Sequence, residues 1–304
     1  MSVCQTFLIE NFTVPNSAFK VLKENLFFFL KTRFSYLNIN TFFMKKFASI
    51  GHPISLSKSP LLHQSGFTEF DIEATFEAIE VKPEDLEQWM KTEARKFDGL
   101  SVTAPHKETI RKYIDQEAEA AQKIGAVNTI SQKDGILIGT NTDAIGALRA
   151  MQTGISLSKK KCLVLGAGGA SRAIIFALKT ADASITIWNR SREKAEAMAE
   201  EFELQDVDEF SLIDPDDFDL IVNATTVGMG EWKSIFPTEM WREKHVAFDA
   251  VYDPLETRFL HEASTAGATT VHGDEMLVQQ AVEQFRLWHE IDIDPNIMFE
   301  AFFE

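Results

Sequence analysis

Cysteine is scarce in this sequence: 304 residues hold two, Cys4 and Cys162. Two thiols build neither a disulfide framework nor a four-ligand zinc site, so the chain reads as cytoplasmic and reduced. The seven histidines (His52, His63, His106, His245, His261, His272 and His289) fall in neither H-x3-H nor HExxH spacing, and no metal is expected. Basic charge is short as well. Against 46 acidic residues stand 30 basic ones, a net charge of -16. That balance argues against nucleic acid and against an anionic membrane surface as partners. Chain of 45% hydrophobic and 25% charged residues excludes collagen-like and disordered classes. The length gives about two domains as a prior.

Residues 1–43 stand apart from the rest. They contain 9 of the 25 phenylalanines, no glycine and one alanine, Ala18. Four basic residues against two acidic ones give this stretch +2, so the remainder carries -18. Its longest apolar run, Leu26–Leu30, is far short of the roughly 20 residues a membrane span needs. A secretory signal would place its basic residues before the apolar run, and a mitochondrial presequence would be richer in arginine and serine. Met44-Lys45-Lys46 then opens a strand-like run. The compositional break leads us to expect that the protein starts at Met44 and that 1–43 is dispensable.

From Met44 onward the pattern is α/β. Strands are predicted over 47–50, 74–81 and 99–104, and a hairpin over 127–140 turning at Lys133-Asp134-Gly135. A helix is predicted over 83–97, with Pro83 in its first turn and acidic residues near its positive end, and further helices over 107–113 and 117–124. From about Ala144 strands and helices alternate: strands 162–165, 184–188, 220–224 and 246–251, helices 170–180 and 191–202. That rhythm predicts a parallel sheet covered by helices. Helices over 275–289 and 294–303 close the chain.

Two constellations carry chemistry. The strand Lys161–Leu165 runs into Gly166-Ala167-Gly168-Gly169-Ala170-Ser171-Arg172, which opens a helix. Glycines there allow a tight turn and close approach of a pyrophosphate to the helix N-terminus. An ordinary strand–helix turn is the alternative, and the flanking strand and helix favour the nucleotide. After the next strand come Asn189, Arg190, Arg192 and Lys194, where an NAD site would carry an acidic residue. Cations there suit a 2′-phosphate, so NADP is expected. The second constellation is spread over polar strand ends: Ser57 and Ser59, Thr103 and Lys107, Asn128, and Asp143. Taken singly, each reads as a polar turn or a solvated charge.

In order, the motifs are SKSP, SVTAPHK, GAVNT, NTD, GAGGASR, NRSREK, VNAT, YDPLET and MLVQQA, spread over 44–304. Together they closely resemble the shikimate dehydrogenase family. The resemblance implies a substrate domain from 44–143 plus 274–304, a Rossmann-type NADP domain over 144–273, and an active-site cleft between them. It implies NADPH-linked reduction of 3-dehydroshikimate to shikimate, in the pathway to chorismate and the aromatic amino acids. Ser57 and Ser59 would hold the substrate carboxylate, and Thr103, Asn128, Asp143 and Gln280 the ring hydroxyls. Lys107, paired with Asp143, would be catalytic, as acid/base or as electrostatic stabiliser, and Tyr252 would stand at the substrate edge. Gly166, Ala167, Gly168, Gly169, Ala170, Asn189, Arg190 and Lys194 would hold the cofactor, with Ala250, Gly273 and Glu119 at further positions. Relatives often carry Asn where Ser101 stands, His at Leu56, Asn at His52, and Gly at Ala144 and Glu275. The alternatives are a quinate or quinate/shikimate dehydrogenase and a catalytically silent NADP-binding regulator. Monomer or homodimer is expected.

Overall fold

In the computed structural model, the described residues are 44–204 and 210–304, together with the backbone of Asp206–Val207. The expected start at Met44 concerns residues 1–43, which lie outside the described residues.

The first sheet is built from β1 (Lys45–Gly51), β2 (Ala74–Glu80), β3 (Gly99–Val102), β4 (Gln116–Glu117), β5 (Thr129–Lys133) and β6 (Ile136–Thr140), in the order β2-β1-β3-β5-β6-β4. β1 pairs in parallel with β2 and β3, and β5 runs antiparallel to both β3 and β6. Phe47 to Gly51 are buried, as a central strand covered on both faces requires. The β5–β6 turn is made by Asp134 and Gly135 at φ +53° and +81°, the left-handed pair that suits the twist of a two-residue hairpin.

One face of this sheet carries Leu86, Met90, Ala94 and Ile110 in its core. The other is covered by α1 (Ser59–Glu69), α8 (Gly273–His289) and α9 (Pro295–Phe302), around Phe47, Phe67, Phe76, Phe285 and Trp288. The helix predicted over 83–97 is a 3-10 turn at Pro83–Asp85, then α2 (Leu86–Thr92), then a second 3-10 turn at Ala94–Lys96. Its buried residues, Leu86, Met90, Ala94 and Phe97, keep a spacing of four, four and three, so burial periodicity does not reveal the change in hydrogen bonding. The helix predicted over 107–113 is only a 3-10 segment, Thr109–Tyr113. Val127 N–H takes the Lys107 carbonyl at 2.8 Å, which removes it as an acceptor for a helix. α3 (Glu119–Ile124) ends at Gly125, φ +71°.

The second sheet is parallel throughout: β7 (Lys161–Leu165), β8 (Ser184–Trp188), β9 (Asp206–Val207), β10 (Leu220–Asn223), β11 (Val246–Asp249) and β12 (Thr269–Val271), ordered β12-β11-β10-β7-β8-β9. β7, β10 and β11 are almost wholly buried, which accounts for their unbroken apolar runs. The order reverses between β7 and β10, the crevice where doubly wound sheets bind dinucleotides. α5 (Gly169–Thr180), α6 (Arg192–Glu201) and α7 (Arg258–Thr265) complete this layer. α4 (Asp143–Gly154) leaves the first sheet and lies along α8, which returns from the second. At Gly146 a Cβ would come within 2.8 Å of Met276 O, so this crossing needs glycine. Cys162 is fully buried in β7, and burial pushes its thiol pKa up to about 12. No helix among the described residues is long and apolar enough to cross a membrane.

Candidate active site

A cleft of about 600 Å³ opens where the C-terminal strand ends of the two sheets face each other. All eight residues expected to hold substrate line it: Ser57, Ser59, Thr103, Lys107, Asn128, Asp143, Tyr252 and Gln280.

Lys107 is placed by its backbone. The buried His106 ring sits with Nε2 2.6 Å from Val81 O, and His106 N–H donates to Thr103 O at 3.0 Å. Val127 N–H fixes the Lys107 carbonyl from the other side. From this pinned loop Lys107 Nζ donates to Asp143 Oδ2 at 2.7 Å. Asp143 is the first residue of α4, where the helix dipole favours a carboxylate, and is 4% exposed. Its second oxygen, Oδ1, accepts from Asn128 Nδ2 at 2.9 Å. A buried carboxylate is thus hydrogen-bonded on both oxygens, as burial of a polar group requires.

Asn128 is itself fixed. Its Oδ1 accepts from Thr142 N–H at 2.7 Å and from the Thr129 hydroxyl at 2.8 Å, while Nδ2 also reaches Thr142 Oγ1 at 2.9 Å. Gln280, on α8, has Oε1 3.4 Å from Asn128 Nδ2 and donates to Leu277 O at 2.8 Å. On the opposite wall Ser57 Oγ lies 3.3 Å from Ser49 Oγ and accepts from Ser59 N–H at 3.4 Å. Ser59 opens α1 and is nearly buried. Burial, then the Asp253 charge, raise the pKa of Tyr252, which keeps its phenol protonated.

The glycine loop forms the facing wall. Gly166 sits at φ +118°, and a Cβ there would come within 2.8 Å of Thr225. Gly168 N–H donates to Ser171 Oγ at 3.2 Å, so the serine in place of a third glycine caps its own helix. A Cβ on Gly168 would meet nothing within 4 Å, leaving the approach to the α5 N-terminus open. One on Gly169 would lie 3.3 Å from Lys107 Cβ, so the loop abuts the lysine. Gly168, Gly169, Ala170, Ala250 and Gly273 line the cleft. Gly166 and Ala167 join the loop to β7. Asn189, Arg190 and Lys194 follow β8, the neighbour of β7, with Gly166 N–H donating to Trp188 O at 2.7 Å. Arg190 and Lys194 are exposed. This open cradle, helix N-terminus and cationic rim fit a phosphorylated dinucleotide.

Glu119 does not line the cleft but stands exposed in the first turn of α3, paired with Lys123 at 2.7 Å. The helical i,i+4 spacing supplies a local partner and points both side chains to solvent. The sequence reading assigned no role to Thr225 and Thr226, which line the cleft after β10. Their signal was present: VNAT ends the strand beside β7, at the reversal of strand order. Below them Asn223 Nδ2 donates to Asp249 Oδ1 at 2.9 Å, and burial pushes the Asp249 carboxyl up to about 6.

Three family models match: the shikimate dehydrogenase substrate binding domain over residues 49–130, shikimate / quinate 5-dehydrogenase over 147–229, and the shikimate 5′-dehydrogenase C-terminal domain over 273–301. A shikimate dehydrogenase (NADP(+)) of Thermus thermophilus is 42% identical over 259 residues, 85% of this chain and 97% of that protein. One from Methanococcoides burtonii is 42% identical over 271 residues, covering 86% and 98%. The crystal structure of the Thermus thermophilus enzyme in complex with NADP(H) and shikimate superposes with a TM-score of 0.78 at 40% identity, over 85% of this chain and 98% of that one.

Proposed function

The chain belongs to the shikimate dehydrogenase family, and from that premise we propose that it reversibly reduces 3-dehydroshikimate to shikimate with NADPH. The observation that carries the reading is the Lys107–Asp143 pair, with Asp143 buried and Lys107 partly exposed to the cleft, set against the first turn of the glycine-loop helix. That places a fixed ammonium beside the opening where a nicotinamide and a ketone have to meet.

NADPH, when bound, supplies the hydride. The work left to the protein is at the ketone oxygen, which gains negative charge as carbon is reduced. Lys107 Nζ stabilises that oxygen and delivers a proton to it; in the reverse direction the pair takes the hydroxyl proton. Asp143 orients Lys107 and accepts from a ring hydroxyl. Thr103, Asn128 and Gln280 hold the remaining hydroxyls, Ser57 and Ser59 the carboxylate, and Tyr252 closes the substrate edge. Gly166 to Ala170 hold the pyrophosphate, Asn189, Arg190 and Lys194 the 2′-phosphate end, and Ala250 and Gly273 the nicotinamide side. Residues 44–143 plus 274–304 form the substrate domain and 144–273 the NADP domain. The enzyme serves chorismate and aromatic amino-acid synthesis in the cytoplasm, as a monomer or homodimer.

One family description names quinate as well as shikimate, and Ser101 stands beside the site where relatives often carry Asn. The test covers both acids. Purified protein is given shikimate or quinate with NADP or NAD, and NADPH or NADH absorbance is followed. We expect shikimate with NADP to give the highest kcat/KM. A higher value for quinate assigns the chain to the quinate branch, and NADP binding without turnover of either acid makes it a silent binder.

A further inference from the structure

Behind the cleft, and not lining it, is a fully buried amide, Gln284 of α8. Its Nε2 shares two hydrogens among three acceptors, Thr129 Oγ1 at 3.0 Å, Ser101 Oγ at 3.2 Å and Asn128 O at 3.3 Å. Its Oε1 lies 3.2 Å from His63 Nε2. The Asn128 carbonyl accepts only, so the Gln284 nitrogen has to face it and Oε1 has to face His63. His63 therefore carries its proton on Nε2 and donates. Thr129 Oγ1, accepting from Gln284, has its single proton left for Asn128 Oδ1 at 2.8 Å. With Oδ1 met by that hydroxyl and by Thr142 N–H, Asn128 turns Nδ2 to Asp143. Each donor in the series His63, Gln284, Thr129, Asn128 thus points one way, toward the carboxylate that holds Lys107.

We propose that Gln284 is a positioning residue for the reaction: through Thr129 it holds the Asn128 amide in the orientation that presents Nδ2 to Asp143. The inference rests on the proposed function. Without Gln284 the Thr129 hydroxyl is free to turn to Thr142 Oγ1 at 3.1 Å, which exchanges its short bond to Asn128 Oδ1 for the longer one the Thr142 hydroxyl offers at 3.3 Å. Ser101 belongs to the same arrangement. Its hydroxyl accepts from the Gln284 amide at 3.2 Å, which ties β3 to α8 behind the cleft.

The test compares Gln284→Leu, Thr129→Val, Thr129→Ser and the Gln284→Leu/Thr129→Val double variant in steady-state assays with shikimate and NADP. Loss of one buried hydrogen bond is expected to lower kcat/KM for shikimate about tenfold in Gln284→Leu and in Thr129→Val. KM for NADP should stay within about twofold, and Thr129→Ser, which keeps the hydroxyl, should restore most of the loss. Because the two residues act in series, the double variant should be no slower than the slower single one. The proposal is overturned by single variants at wild-type kcat/KM, by losses that multiply to about a hundredfold, or by a parallel rise in KM for NADP. Should Gln284→Leu not fold, the valine and serine variants decide: equal rates refute the series. A wild-type protein without shikimate turnover overturns the proposed function, and this inference with it. Active wild type with silent substitutions removes only the inference.

Discussion

Lys107 is tied to a single oxygen of Asp143, and the other oxygen belongs to Asn128. This division separates orientation from charge: Asn128 keeps the carboxylate still, and Lys107 keeps donors free for a substrate oxygen. We expect Lys107→Ala to lower kcat by about 10²–10⁴-fold, the range of general acid–base help, while KM for NADP is unchanged. Asp143→Ala should damage both kcat and KM for shikimate. As the two act as a unit, the double variant should be little slower than the worse single one. Multiplied losses would mean independent roles. At this scale the cleft residues were legible from short motifs read together, most of them at strand ends, with Gln280 on α8 and Ser59 at the start of α1. The order of hydrogen bonds behind them was not, since Gln284 reads as one polar residue on an amphipathic helix. Only the return of α8 beneath β3 and β5 gives it partners 155 or more residues away.

The segment between β8 and α6 bears on cofactor choice. Arg192 pairs with Glu196 within α6, while Arg190 is exposed at the strand end and has no ion pair among the described residues. An unpaired guanidinium near a helix N-terminus is locally unfavourable and awaits an anion. Arg190→Ala should raise KM for NADP by at least tenfold, since a charge-assisted bond contributes roughly 1.5–3 kcal/mol. KM for NAD should barely move, and steady-state titration with both cofactors reads the difference. Equal weakening would place Arg190 in the fold instead. Neither α4, α7, β9 nor β12 was read from the sequence, whereas most strands and α5, α6, α8 and α9 were legible from apolar runs and helical periodicity. α1 was not, although its buried Ser59, Leu62, His63, Gly66 and Phe67 follow helical spacing. Serine, histidine and glycine hide that stripe from a hydrophobicity reading, because what buries them is the aromatic cluster contributed by α8 and β2.

Across the whole molecule, α8 joins the two sheets, and its C-terminal half is anchored in that cluster. His63 is fully buried there, stacked on Phe76 with ring centroids 4.5 Å apart, and His289 packs on Phe285 at the same distance. Burial lowers the pKa of His63 to about 3 and of His289 to about 4. Both are neutral in the native state, whereas the unfolded chain protonates them below about 6.5. Their contribution to stability is therefore complete above pH 6.5 and is lost as the pH falls toward 3–4. Asp249 acts in the opposite direction, because with its pKa near 6 it binds a proton in the native state before the unfolded chain does. The net slope mixes these groups, so the difference between two proteins isolates one. In urea unfolding between pH 4.5 and 6, His63→Gln should flatten the rise of stability with pH by about one proton, ~1.4 kcal/mol per pH unit. The glutamine keeps a donor for Gln284, so lowered stability at pH 8 and the change in slope are separately readable. An unchanged slope would show that His63 is not the group whose charging loosens α8, the helix that carries Gln280 to the cleft and Gln284 behind it.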